Sequence, residues 1–233
     1  MISPKMRATA DCRISFIEPR YFESRRTHKV PNDQHPPHNI LYGKQLIASV
    51  YNAFRNAPTW RRTLLIVVYD EHGGCFDHVP PPTAVPPGGP CPAGFEFDRY
   101  GVRMPAVLIS PYVAPGSIIR PPQNPAGEPI FPFDHASIIA TLHKLFELGP
   151  PMTPRVAAAP DLLCALTLEQ PENDGPEHVA AHPRQPSRRE ARAHVRRHRN
   201  PLQRQHTKPL WALPGTAARG IAHLKRLRPR RRR

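Results

Sequence analysis

The apolar, β-branched run Leu65-Ile66-Val67-Val68-Tyr69 stops abruptly at Asp70-Glu71-His72-Gly73-Gly74, and that boundary constrains the fold more than any other feature of the chain. A run this apolar predicts a buried strand of an α/β sheet, whose carboxyl end is where such sheets place their ligands. Asp70, Glu71 and His72 would stand at that end, with Asp77 and His78 on the turn beyond it. Carboxylates and imidazoles so placed can ligate a hard metal ion, donate to phosphate or move protons, although a solvated turn has the same composition. Gly73-Gly74 lets the backbone turn sharply and approach a ligand.

A second polar cluster, Pro31-Asn32-Asp33-Gln34-His35-Pro36-Pro37-His38, precedes a helix predicted from Asn39, its capping residue, to Phe54. The flanking prolines fix the backbone, so His35 would be presented on a stiff loop. Strands are expected over Cys12–Ile17, Thr63–Tyr69 and Met104–Ser110, and a further helix over His135–Leu148. The chain's 33 prolines among 233 residues limit the core, and the runs Pro80–Pro92 and Pro121–Pro132 read as surface loops. Together these elements predict an α/β fold around a parallel sheet.

Taken in order, the motifs resemble one family. Asn32-Asp33-Gln34-His35-Pro36-Pro37 and Tyr69-Asp70-Glu71-His72-Gly73-Gly74-Cys75-Phe76-Asp77-His78-Val79 are similar to the carboxyl-terminal half of the phosphoesterases, which include bacterial phospholipases C, acid phosphatases and plant non-specific phospholipases C. Similarity is closest to the plant enzymes. Ile14–Phe22, Phe97–Ala106, Leu108–Tyr112 and Phe133–Ile139 extend the likeness, which runs collinearly from about residue 12 to 168.

The resemblance implies an alkaline-phosphatase-like three-layer α/β sandwich that hydrolyses a phosphoester, typically the head-group phosphodiester of a phospholipid. It implies that Asp70 and Glu71 serve a divalent metal ion, that His35 contacts the phosphoryl group and acts in catalysis, that His72 and His78 are further catalytic candidates, and that His135 binds substrate. The family pattern also has a Glu-Asn-Arg-Ser-Phe-Asp-type motif and a Thr or Ser nucleophile, neither of which is matched here. The expectation is therefore an incomplete sandwich lacking its amino-terminal half and a nucleophile, and alternatives to an active hydrolase are an inactive fragment of one or a basic binding protein.

Charge supports that last alternative. Residues 1–180 carry 16 Lys and Arg against 17 Asp and Glu, whereas residues 181–233 carry 17 against one. The expected division is a family-like domain over 1–168 and a Pro/Arg-rich, disordered tail over 169–233, whose basic part could bind nucleic acid or an anionic membrane surface. Cys12, Cys75, Cys91 and Cys164 show no paired zinc spacing and are expected to be buried free thiols, with a Cys75–Cys91 bridge open in an oxidising compartment. No apolar run is long enough to span a bilayer and no signal peptide is visible, so a soluble or peripheral protein is expected.

Overall fold

The computed structural model describes residues 14–24, 27, 29–89, 94–127 and 130–180. The basic segment 181–233 lies outside the described residues, as do Cys12 and Cys91. Among the described residues, three helices and a two-stranded sheet make up the regular structure, in the order α1 (Ile40–Arg55), β1 (Leu65–Val68), β2 (Ala106–Ile109), α2 (His135–Phe146) and α3 (Pro154–Ala158). Short 3-10 turns occupy Trp60–Arg62 and Leu162–Ala165. The class is mixed α/β.

Local chemistry explains where the helices begin. The Asn39 side chain accepts from the Leu41 N–H at 3.0 Å and caps α1. Asp134 caps α2 through a reciprocal box with Ser137, and α2 ends where Glu147 enters the left-handed region. Tyr42, Ala48, Val50 and Tyr51 form the buried stripe of α1. Trp60 closes this part of the core, meeting Tyr51 edge-to-face at 5.9 Å and the Arg55 guanidinium at 5.7 Å.

The sheet departs from expectation in direction and in depth. Strands β1 and β2 pair antiparallel, with Leu65 opposite Ile109 and Val68 opposite Ala106. The reason lies in the connection, which contains no crossover helix among the described residues. Its two halves double back on each other, with Ala84 N–H donating to the Asp98 carbonyl at 2.7 Å and an antiparallel bridge joining Thr83 and Arg99. The chain therefore re-enters beside β1 pointing the other way. Nor is the pair buried on both faces, since Val68 is 39% and Val107 54% exposed. The strand expected over Cys12–Ile17 does not form at residues 14–17, which have no strand neighbour; Phe16 there is 84% exposed.

Past α3 the chain wraps back over the body. Leu168 N–H donates to the Tyr112 carbonyl, and Asn173 holds the Pro111 and Val113 carbonyls through its backbone and side-chain nitrogens at 2.9 and 2.7 Å. Tyr51 of α1 donates to the Pro176 carbonyl, and Asn52 clips Val179 by reciprocal bonds of 3.0 and 2.8 Å. No helix among the described residues is long and apolar enough to cross a membrane.

Candidate functional site

Two sequence-distant motifs meet beyond the end of β1. Asp70, the second residue past the strand, is exposed and accepts the Glu71 N–H at 3.1 Å. Glu71 turns its carboxylate back, one oxygen accepting the Gly73 N–H at 2.8 Å and the other lying 3.3 Å from His35 Nε2. Gly73 and Gly74 have φ of +64° and +77°, conformations that a side chain would strain, and Gly73 passes close to the Pro36 ring. The His35 and Asp70-Glu71 motifs thus form two sides of one cleft.

The His35 side is anchored from beneath. Asp33, only 5% exposed, accepts the His35 N–H at 3.1 Å with one oxygen and His38 Nδ1–H at 2.6 Å with the other. The His35 ring uses Nδ1 to reach the Pro36 carbonyl at 2.6 Å, which turns Nε2 toward Glu71. Asn32 is tied to Arg20 by two bonds, the Arg20 N–H to its side chain at 2.5 Å and its own N–H to the Arg20 carbonyl at 3.0 Å.

Tyr69 links these parts. Its hydroxyl donates to the Gln34 side-chain carbonyl, and its backbone carbonyl accepts His135 Nε2–H at 2.9 Å. His135, expected to bind substrate, has that nitrogen committed to the strand end. The Asp134 cap that starts its helix is itself held by Arg155 at 2.9 Å, while Arg155 also lies over the Tyr100 ring at 4.2 Å.

The other sequence candidates are dispersed around this centre. His72 Nδ1 donates to the Cys75 carbonyl at 3.0 Å and so shapes the glycine turn. His78 is 83% exposed, 3.6 Å from its neighbour Asp77. Asp77 instead grips Arg103 through two bonds of 2.7 and 2.8 Å. Those bonds, then the Val79 N–H, hold its carboxyl well below the usual aspartate range. Cys75 and Cys164 are free and exposed, not buried, because both sit on surface turns.

Sequence reasoning gave no role to Tyr21, Asp33 or Gln34. Burial pushes the Tyr21 hydroxyl up, and the negative charges of Glu18, Asp70 and Asp33 push it further. A separation of several residues between Asp33 and the groups it holds was the available signal, but it is indistinguishable from an ordinary Asx turn in sequence alone.

A divalent ion of the kind the resemblance implies would find Asp70 and Glu71 here. One Glu71 oxygen and one Asp70 oxygen already accept hydrogen bonds, the other Glu71 oxygen faces His35 Nε2, and no three His, Cys, Asp or Glu groups converge to hold a metal among the described residues. The described side chains do not by themselves enclose an ion.

A family model described as the phosphoesterase family matches residues 12–149. The chain is 43% identical over 165 residues to non-specific phospholipase C3 of Arabidopsis thaliana, covering 69% of this chain and 31% of that protein. It is 39% identical over 166 residues to non-specific phospholipase C4 of the same plant, covering 69% and 30%. Phospholipase C A of Mycobacterium tuberculosis is 29% identical over 185 residues, covering 72% and 32%. The chain spans about a third of the length of these curated relatives.

Proposed function

The chain belongs to the phosphoesterase family, and from that premise we propose that it carries a phosphoester-binding wall of a phospholipase C-like hydrolase. The observation that carries this reading is the 3.3 Å approach of His35 Nε2 to Glu71 across the cleft, which joins the two motifs most specific to the resemblance. The two-stranded sheet is then part of a three-layer sandwich. The substrate class is a phosphoester, with a phospholipid head group as the first choice.

As the imidazolium, with Nδ1–H donating to the Pro36 carbonyl, His35 supplies Nε2–H as a hydrogen-bond donor to a phosphoryl oxygen. Its Nδ1 is occupied by the Pro36 carbonyl and its backbone by Asp33, so Nε2 is the atom presented. A donor fixed before substrate arrives needs no reorganisation as charge develops on the phosphoryl oxygens. Asp70 and Glu71 alone would repel a phosphodiester anion, which is the physical case for a cation between them and substrate. When bound, such a cation supplies charge neutralisation and Lewis acidity. His135 and His72 act here on the backbone, holding the Tyr69 and Cys75 carbonyls and with them the loop that carries both acids. His78 stands at the rim.

Reaction also demands a nucleophile in line with the leaving oxygen. Ser137 and Thr141, the buried hydroxyls of α2, are engaged in the helix cap and in bonds within and beside the helix, away from this role. We propose that the 233 residues alone bind a phosphoester without turning it over. Titrating phosphocholine into the purified chain should shift the His35 ring resonances, and His35→Ala should weaken binding at least about tenfold. Absence of binding by the wild-type chain would sink the reading. In a metal-supplemented assay with a chromogenic phosphocholine ester, turnover should not exceed that of His35→Ala; chelator-sensitive turnover abolished by Asp70→Ala would instead establish a complete enzyme.

A further inference from the structure

Resting on that reading of the cleft, we propose that Gln34 is a positioning residue, seated on Gly43 of α1, which sets how His35 faces Glu71. Gln34 precedes His35 in the chain, and its amide is held at both ends. Its Nε2 donates to the Ile40 carbonyl in the first turn of α1 at 3.2 Å, and its Oε1 accepts the Tyr69 hydroxyl just before Asp70-Glu71. One planar group therefore ties the histidine loop to the helix and to the strand end.

Gly43 makes that seat possible. A glycine inside a helix costs about 1 kcal/mol relative to alanine, and Gly43 has neither a positive φ nor a helix end to account for it. A Cβ placed there would collide with Gln34 Cγ and lie 3.0 Å from its Cδ and 3.1 Å from its Nε2. The missing methyl is the space into which the Gln34 side chain folds. Tyr69 is steadied independently through its carbonyl by His135, so the strand end is fixed on one side by α2 and on the other through Gln34 by α1.

The experiment uses Gly43→Ala, Gln34→Ala and the double variant in the full chain. Alanine at position 43 favours the helix, so circular dichroism should show α1 retained or strengthened. The first readout needs no ligand: the His35 ring resonances should move in Gly43→Ala and in Gln34→Ala, and the double variant should resemble Gln34→Ala alone. The second is phosphocholine affinity, expected to fall about tenfold in each single variant with no further loss in the double. Tyr69→Phe, which removes only the hydroxyl, should give a partial loss in the same direction. Unchanged His35 resonances, or effects of the two single variants that add, would overturn the positioning role. Failure of the wild-type chain to bind phosphocholine would overturn the functional reading and leave the ligand-free readout to decide the positioning on its own.

Discussion

The two sides of the cleft hold their functional groups by opposite means. On the histidine side Asp33 and His38 are buried, with side-chain exposures of 4% and 7%, and one carboxylate fastens both a ring and a backbone N–H. On the acid side Asp70 and His72 are exposed and Glu71 is 41% exposed, and each is held mainly by bonds to its own turn. The difference teaches that this cleft has one stiff jaw and one compliant jaw. A donor held before an anion arrives needs no reorganisation to meet its charge, whereas the acids opposite can adjust.

That contrast is most exposed to failure at Asp33. Asp33→Ala removes the buried carboxylate that holds both the His38 ring and the His35 N–H, and should lower unfolding stability by about 3 kcal/mol in urea denaturation. A loss as small as that of a surface substitution would show that the histidine side is not anchored as described. Asp134→Ala comes next. It removes the α2 capping box and the partner of Arg155, at a cost of about 1–2 kcal/mol by thermal unfolding, and should loosen the His135 bond to Tyr69, visible as faster amide exchange at Asp70 and Glu71.

Acid probes the rim. Asp77 has its folded pKa depressed by Arg103, so its contribution to stability is present above the ordinary aspartate range near about 3.9 and is lost as pH falls below it toward the folded value. Carboxyl resonances followed by pH titration should show Asp77 protonating later than exposed aspartates, and Arg103→Ala should bring it back among them. The Arg103 side chain is 61% exposed, so added salt should narrow that gap. The smallest effect is expected at Glu71. Glu71→Gln should change stability by less than about 0.5 kcal/mol while weakening any metal-dependent phosphoester binding. A stability loss comparable to that of Asp33→Ala would erase the distinction between the jaws.

Sequence made the elements legible where side-chain pattern is local. The β-branched run at Leu65–Val68, the apolar run at Ala106–Ile109 and the Asn39 cap before α1 all stand where pattern and capping chemistry put them. Strand direction was not legible, because it depends on how the irregular Pro80–Pro92 connection doubles back, and prolines specify turns without specifying where the chain returns. Exposure of Val107 was hidden for a related reason: an apolar strand reads as buried whatever packs beside it. In the cleft, His35, Asp70 and Glu71 could be named from their motifs. Gln34 and Tyr69 could not, since each acts on a group brought near by folding, and Asp33 could not because its bonds within its own loop look like an ordinary Asx turn. The one local trace of the Gln34 seat was a glycine inside an otherwise good helix, a signal that calls for a packing reason.

The clip between Asn52 and Val179 fixes the last described residues against α1. Residue 180 is the last described before the segment that holds 17 of the 33 Lys and Arg, and its neighbour is pinned to the last third of α1. Nine residues separate Asn52 from Gly43, about 14 Å along the helix axis. The same rod therefore carries the Val179 clip in its last third and the Gln34 seat in its first half.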